Sequence, residues 1–292
     1  MIPNSFLQEW SRHAPWPDLR QIEQDLIICR ALCDLFNHPL LQAKVAFRGG
    51  TAINKLLLEK PLRYSDDIDL VQTSPAPIGK TVDAILDALS WLGKCSREQA
   101  GHSMHMVFRF TPEAEPSTTL KLKVEINTRE QNNLYGLRNY PFSVESDWYR
   151  SQAQIASFDA NEIFGTKLRA FLQRDKNRDL FDLGIGLRSL TLDPRKVVDV
   201  FEHYLSLSGV RITRAAAEQR MLTKLTRSLT DDIAPLLPNG VTYTGSDAIE
   251  AFEQVWSRLI PLIKGDPWKL TEKTISELRK NGFPSLLQNS SG

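Results

Sequence analysis

Three aspartates and a pair of glycines lie close together in "AFRGGTAINKLLLEKPLRYSDDIDL", residues 46–70. Asp67 and Asp69 are two residues apart in a segment with the alternating pattern of a β-strand, so both side chains should project from one face, roughly 7 Å apart. Glu125 lies on the polar face of a second predicted strand, "LKLKVEIN". If the two strands are neighbours, three carboxylates converge and suit a hard divalent cation such as Mg²⁺, which prefers oxygen ligands and often binds substrate phosphates as well.

The glycines supply the complementary half of this pattern. Gly49 and Gly50 follow the apolar segment "KVAF" and precede Thr51, which lies near the start of a predicted helix. Glycine lets the backbone approach a ligand closely, and a helix N-terminus presents N–H groups and the positive end of the helix dipole. Such a turn suits the triphosphate of a nucleotide, and beside a carboxylate-bound metal it is typical of phosphoryl or nucleotidyl transfer. Arg48 and Arg63 either meet the phosphates or balance the acids, and Asp66 faces away from the other two aspartates.

Four segments in order carry a resemblance to a known family: "RGGTAINK", "RYSDDIDL", "LKVEIN" and "EIFGTKLRAFLQRDKNRDLFDL". Together they resemble the AbiEii/AbiGii toxin family, a branch of the DNA polymerase β-type nucleotidyltransferases, over about residues 20–190. The resemblance implies that Asp67 and Asp69 hold the metals and that Glu125 supplies the third acidic position. It also points to Lys167 and Asp182. The predicted nucleotide-binding residues are Arg48, Gly49, Gly50, Thr51 and Lys167; the predicted catalytic residues are Asp67, Asp69, Glu125, Lys167 and Asp182.

Lys167 also stands out from the residues alone. It lies within the apolar stripe of the helix predicted over 158–174, beside Phe164, Leu168 and Phe171. A lysine in such a stripe either extends its ammonium group past the core or has a reason to be there. With the resemblance, we expect a cation that reaches the triphosphate.

Two aspartates follow Lys167 at helical spacing. Asp179 and Asp182 are three residues apart and therefore share one face of a helix. One role is to orient Lys167 or a basic neighbour, and the other is an ion pair with Arg174 or Arg178. The resemblance favours Asp182 as the functional residue, while Asp179 could equally cap the helix.

The periodicity of the sequence divides the chain into a mixed α/β region and a helical region. Strands are predicted at 44–47, 67–71, 104–110 and 120–127, and helices at 17–41, 51–60 and 80–93. After residue 155 the pattern is helical, apart from "LLPNGVTYTGS", residues 236–246. We therefore predict an α/β fold class, which the resemblance specifies as a polymerase β-like nucleotidyltransferase core with a mixed sheet flanked by helices. The predicted domains are 1–155, the nucleotidyltransferase domain, and 156–292, an all-helical half that completes the active site.

Composition leaves the partner open. The 292 residues include 36 basic and 35 acidic side chains and carry a formal net charge of +1, so a polyanion would have to meet a local patch. No apolar run reaches the ~18 residues that a transmembrane helix needs, and the N-terminus lacks the pattern of a signal peptide. We expect a cytoplasmic protein without membrane contact. Cys29, Cys33 and Cys95 are expected to be buried free thiols.

The resemblance implies an enzyme that moves a nucleoside monophosphate from an NTP to an acceptor and releases pyrophosphate, with Mg²⁺ or Mn²⁺ as cofactor. The implied acceptor is RNA, namely the 3′ end of tRNA, in a toxin–antitoxin (abortive infection) system with a separately encoded antitoxin. Two other functions fit the same residues. One is nucleotidylation of a protein Ser, Thr or Tyr hydroxyl; the other is a non-catalytic nucleotide- or RNA-binding module whose acids form inert ion pairs.

Contacts to RNA are expected partly from the helical half. The first candidates are Arg211, Arg214, Arg220, Lys224 and Arg227, because each could meet a phosphate. The alternative for this cluster is a solvated helix face. Should the cluster make no RNA contact, Arg129, Arg138 and Arg150 are the next candidates.

Overall fold

A mixed seven-stranded sheet forms the first part of the molecule in the computed structural model, which describes residues 2–113 and 115–280. The strands are β1 (Val45–Arg48), β2 (Asp67–Gln72), β3 (Cys95–Ala100), β4 (Ser103–Phe110), β5 (Leu120–Asn127), β6 (Leu137–Glu145) and β7 (Arg150–Phe158). Their order is β3-β4-β5-β2-β1-β7-β6. The pairs β2–β5 and β1–β7 are parallel and the others are antiparallel. The predicted mixed sheet is confirmed, whereas β3, β6 and β7 were not predicted.

Five helices accompany the sheet: α1 (Asn4–Trp10), α2 (Leu19–Asn37), α3 (Pro39–Lys44), α4 (Gly49–Ala52) and α5 (Gly79–Ala88). The prediction of a single helix over 17–41 is wrong, because the helix is interrupted at His38. That residue is extended (φ −75°, ψ 121°), as expected immediately before a proline. The helix predicted over 51–60 begins earlier, at Gly49, and continues after α4 as a π-helical turn, Ile53–Leu57.

Apolar and polar residues alternate along the central strands, so each strand has a core face and a polar face. Ile68 and Leu70 of β2, and Val124 and Ile126 of β5, are buried in one hydrophobic core with apolar residues of α2 such as Phe36. The residues between them point to the opposite face, since successive side chains alternate in a strand. The same pattern that builds the core therefore presents the acids of β2 and β5 together. The cysteine prediction holds for Cys29 and Cys33, which are buried and free, whereas the free Cys95 on β3 is only partly buried.

A buried carboxylate links three segments of this unit. Asp25 of α2 is 2% exposed and accepts hydrogen bonds from the indole nitrogens of Trp10 (3.0 Å) and Trp16 (3.2 Å). Lys55, in the π-helical turn after α4, lies 2.7 Å from the same carboxylate. Burial acts to lower the pKa of Lys55, but the charge and hydrogen bond of Asp25 hold that pKa above its ordinary value. The helical segment that begins at the two glycines is thereby fixed to α2.

The remaining helices form a second unit. They are α6 (Ala160–Gln173), α7 (Asn177–Ser189), α8 (Pro194–Leu207), α9 (Arg214–Lys224), α10 (Gly245–Arg258) and α11 (Thr271–Lys280). The chain divides after Asp159, and the short segment Leu236–Val241 belongs to the first unit. Residues 281–292 of the predicted helical half lie outside the described residues. Within the described ranges, no helix combines the length and apolar character needed to cross a bilayer.

The segment Leu236–Val241 is held in the first unit by main-chain hydrogen bonds. The backbone N–H of Tyr64 donates to the carbonyl of Leu236 (2.6 Å), and that of Asn239 donates to the carbonyl of Pro15 (2.7 Å). Tyr64 directly precedes the loop that leads into β2. A stretch distant in sequence therefore supports the approach to the acidic strand.

Replacing Lys55 with Met should destabilise the fold by about 3 kcal/mol, because it leaves the buried Asp25 carboxylate without its cation. Urea unfolding of the Lys55→Met variant, followed by circular dichroism, measures this loss. Lys60→Met, at an exposed position five residues later, is the matched control and should unfold as the wild type does. Equal unfolding midpoints for the two variants would show that the Asp25–Lys55 pair does not stabilise the unit.

Candidate active site

The acidic residues of β2 and β5 lie side by side. In the register of the sheet, Asp69 pairs with Glu125 of the parallel neighbour β5 and with Arg48 of β1 on the other side. His105 of β4 in turn pairs with Glu125, and all four side chains are neither fully buried nor fully exposed. The expectation that the two acidic strands are neighbours is confirmed. We call Asp67, Asp69 and Glu125 the acidic row.

A lysine lies among these carboxylates. Lys123, in register with Asp67, places its Nζ atom 2.9 Å from Oε2 of Glu125, and His105 Nε2 lies 3.3 Å from the same oxygen. Burial acts to lower the pKa of Lys123, but hydrogen bonding and the charges of Glu125, Asp67 and Asp69 raise it above its ordinary value. Lys123 is therefore the internal cation of the acidic row.

The pKa of Glu125 responds in the complementary way. Burial acts to raise it, but the hydrogen bond and charge of Lys123, with smaller contributions from Ser103 and His105, hold it below its ordinary value. The carboxylate is therefore ionised at neutral pH. Neither His105 nor Lys123 was predicted as a site residue, because the strand pairing that brings them to Glu125 is not visible in the sequence.

Both glycines of the turn are covered by side chains of the site. Gly49 has φ +85°, and a Cβ atom built on it would lie 2.1 Å from Oδ2 of Asp69. A Cβ atom on Gly50 would lie 2.3 Å from Nη2 of Arg63, a side chain that is almost completely buried. The Asp69 carboxylate and the Arg63 guanidinium therefore lie directly against the backbone of the turn. The two roles expected for Arg63, to meet the phosphates or to balance the acids, both stay open.

Thr51 and Arg48 make protein contacts. The hydroxyl of Thr51, which is 2% exposed, donates to the carbonyl of Asp67 (2.6 Å) and lies 2.8 Å from Oγ of Ser65. Its side chain therefore holds the start of β2 in place. Arg48 Nη1 lies 2.5 Å from Oε2 of Glu130. Arg48 is therefore paired with an acid that lies outside the acidic row.

The other two predicted site residues belong to the helical unit, where they form a buried ionic cluster. Lys167 Nζ lies 2.9 Å from Oδ2 of Asp182 and 3.2 Å from Oδ1 of Asp179, and the side chains are at most 8% exposed. Arg174 binds Asp179 as well, with its Nε 2.7 Å from Oδ2. Asp182 thus fixes the ammonium group of Lys167, which is one of the alternatives that the sequence left open.

Asp179 does not cap its helix. Helix α7 begins at Asn177 with Lys176 at the cap position, so Asp179 lies inside the first turn. Burial acts to raise the pKa of Asp179, yet the hydrogen bond from Arg174 and the charges of Lys167 and Arg174 hold it below its ordinary value. Its role is to pair two cations.

The acidic row fits a hard divalent cation. It offers only carboxylate oxygens on adjacent strands, and one of them already lies over the backbone of Gly49, where a Cβ atom has no room. Among residues 2–113 and 115–280, no three His, Cys, Asp or Glu side chains are arranged as a metal site. The carboxylate of Glu125 instead forms an ion pair with Lys123. A metal would therefore replace Lys123 as the cation of the row.

The fold is that of the nucleotidyltransferases. The nucleotidyltransferase toxin MenT4 from Mycobacterium tuberculosis shares it with a TM-score of 0.58 and 17% identity, over 87% of this chain and 88% of that chain. A candidate nucleotidyltransferase from H. pylori gives a TM-score of 0.53 and 15% identity, over 83% and 96% of the two chains. At such identities the likeness concerns the fold alone.

The family follows from the sequence. Residues 30–258, more than half of the chain, match the family described as "Nucleotidyl transferase AbiEii toxin, Type IV TA system". The chain therefore belongs to the AbiEii family and is a nucleotidyltransferase toxin of a type IV toxin–antitoxin system. The family implies an NTP substrate, usually a divalent metal, and an antitoxin partner. No match was found among curated proteins.

Replacing Gly49 with Ala should abolish most of the transferase activity while the protein stays folded. The new Cβ atom must push the Asp69 carboxylate away, and the positive φ adds about 1–2 kcal/mol of backbone strain. Gly93→Ala is the matched control, since Gly93 has φ +83° but open space around its Cβ position. Both variants should lose similar stability in thermal unfolding, and only Gly49→Ala should lose activity. Equal activity of the two variants would contradict the close approach of Asp69.

Replacing Lys123 with Met should strengthen the binding of a divalent cation, because the acidic row then lacks its internal cation. We expect the Kd for Mn²⁺, measured by isothermal titration calorimetry, to fall by about threefold to tenfold, in line with ~1 kcal/mol for a partly exposed ion pair. The protein without metal should also melt at a lower temperature than the wild type. Lys121→Met removes an exposed charge two residues earlier on the same strand and is the matched control. Unchanged Mn²⁺ affinity in Lys123→Met would show that Lys123 does not compete with the metal.

Proposed function

We propose that this toxin transfers a nucleoside monophosphate from an NTP to the 3′-terminal hydroxyl of tRNA, with Mg²⁺ or Mn²⁺ as cofactor. The observation that carries the proposal is the acidic row, in which carboxylates of two parallel strands lie in register and Asp69 touches the backbone of Gly49. A site that brings oxygen ligands to a phosphate-binding turn supports displacement at a phosphorus atom. Extending tRNA at its 3′ end blocks aminoacylation and so arrests translation, which suits a toxin.

The protein's own residues have separate tasks in this reaction. The turn at Gly49 and Gly50 receives the triphosphate through backbone N–H groups of the first helical turn, which have no partner within the helix. Arg63, held against Gly50, adds a fixed positive charge beside that turn. Asp67 and Asp69, with Glu125, hold the metal. When bound, the metal supplies Lewis-acid chemistry that makes the acceptor hydroxyl more nucleophilic and neutralises charge on the phosphates.

The bond changes follow from this arrangement. The acceptor oxygen forms a bond to the α-phosphorus, the bond from that phosphorus to the bridging oxygen of the β-phosphate breaks, and pyrophosphate leaves. The acceptor proton is lost to solvent. Lys167 is proposed to neutralise charge on the leaving pyrophosphate, and its ion pairs with Asp179 and Asp182 keep its ammonium group in one position.

A labelled-nucleotide assay tests the proposal and its alternatives. The full-length protein is incubated with each α-³²P-labelled NTP and Mg²⁺, together with deacylated tRNA or with total cell protein. We expect label on tRNA, lost when the 3′ hydroxyl is oxidised with periodate beforehand. Label on protein instead would identify a Ser, Thr or Tyr hydroxyl as acceptor, and no label on either would favour a non-catalytic module.

The acidic row predicts which aspartates the reaction needs. Asp67→Asn and Asp69→Asn should each abolish label transfer without unfolding the protein, since both side chains lie on the face opposite the core. Asp66→Asn, at an exposed neighbouring position, is the matched control and should retain wild-type transfer. Near-wild-type transfer by Asp67→Asn or Asp69→Asn would contradict the proposed metal ligands.

A further inference from the structure

A second cluster of charged residues lies in the helical unit, at the end of α6. The end of α6, the turn after it and α9 line a groove with a volume of about 410 Å³. Its cationic lining residues are Arg174, Arg220, Lys224 and Arg227, and its acidic lining residue is Asp175. We call this surface the basic groove. Of the residues first considered for RNA contact, Arg211 and Arg214 are absent from its lining, and Arg214 instead pairs with the buried Glu218.

Three of the four cations of the basic groove are held in fixed positions by the protein. Arg220 Nη1 donates to the carbonyl of Leu172 (2.8 Å), and Lys224 Nζ donates to the carbonyl of Arg174 (2.8 Å). Arg174 in turn is anchored on the buried Asp179. Side chains that are already fixed lose little conformational freedom when a ligand arrives, so their charge is available at low entropic cost.

Asp175 is an anion that pairs with two cations of this groove. One of its oxygens lies 2.9 Å from Nζ of Lys224, and the other lies 2.6 Å from Nη1 of Arg227. Hydrogen bonds from these two cations hold the pKa of Asp175 below its ordinary value, so the carboxylate is charged at neutral pH. The Asp175 and Arg227 side chains are both more than 60% exposed, so this is a weak surface contact that a stronger anion can replace.

We propose that the basic groove binds the phosphodiester backbone of RNA, with Asp175 as an internal competitor for the same cations. This inference rests on the proposed function, since it says how the tRNA acceptor is held. RNA presents one phosphate at each nucleotide, so successive phosphates can meet several fixed cations at once. Planar guanidinium groups also match phosphate oxygens in pairs, and three of the four cations are arginines. With a net charge of only +1, the protein needs such a local patch to hold a polyanion.

Fluorescence anisotropy with 5′-labelled tRNA, without NTP or metal, tests the groove in the full-length protein. At about 0.1 M salt, Arg220→Gln/Arg227→Gln should bind tRNA about tenfold or more weakly, and the slope of log K against log salt should fall by about 2. Asp175→Asn should bind about threefold more tightly, because the competing charge is gone. The matched control, Lys264→Gln/Lys273→Gln, removes two exposed charges elsewhere in the same unit and should bind as the wild type does.

Several results would overturn the inference. Wild-type binding by Arg220→Gln/Arg227→Gln would do so, and so would an equal loss in the control variant, which would show only a general effect of charge. Polyglutamate is tested as a competitor at the same concentration of charge as tRNA. If it displaces tRNA and also binds more tightly to Asp175→Asn, the occupant of the groove is an acidic protein. Circular dichroism and thermal unfolding of each variant confirm that the fold is intact.

The assays also separate this inference from the proposed function. If the wild type labels tRNA and the groove variant does so with the same KM for tRNA, the inference that the groove binds RNA is wrong and the proposed function stands. If no NTP labels tRNA but tRNA binding depends on the groove residues as described, the inference about the groove holds and the proposed reaction is wrong.

Discussion

Repulsion between carboxylates is the constraint on which the first unit of this protein depends. Asp67, Asp69 and Glu125 are brought together by the register of two parallel strands, and that register cannot shift without moving the core residues between them to the wrong face. Lys123 offsets part of this negative charge, and its pKa is raised by all three acids. The acids and their cation thus form one electrostatic unit.

The same constraint explains the backbone around the site. The Asp69 carboxylate lies on Gly49 and the Arg63 guanidinium lies on Gly50, so a Cβ atom at either position would force one of these side chains to move. Lys55 then fixes the helix after the glycines to the buried Asp25. The acidic row, the tight turn and the buried ion pair therefore act together: the row lies against the turn, and the ion pair keeps the turn in position.

Sequence patterns predicted the parts of this structure in which local periodicity and burial agree. β2 and β5 alternate cleanly and were found with nearly correct bounds, and Glu125 was placed beside the aspartates. β3 was missed because "CSREQA" has no apolar face, and β6 carries Pro141, which argues against a strand. The partners of Lys123, Arg48 and Lys167 depend on contacts between distant segments. Local patterns do not specify such contacts, so sequence reasoning could offer only alternatives for Arg48, Lys167 and Asp182.

The return of Leu236–Val241 to the first unit has a consequence for how the protein is made. Ribosomes deliver the chain from its N-terminus, and domains generally fold as they emerge. Here the backbone N–H of Tyr64, before β2, can donate its hydrogen bond to the carbonyl of Leu236 only after residue 236 has been synthesised. A nascent chain that has not reached this point lacks part of the support of its acidic strand. The cell that makes this toxin is therefore exposed to a completed site only late in each round of synthesis.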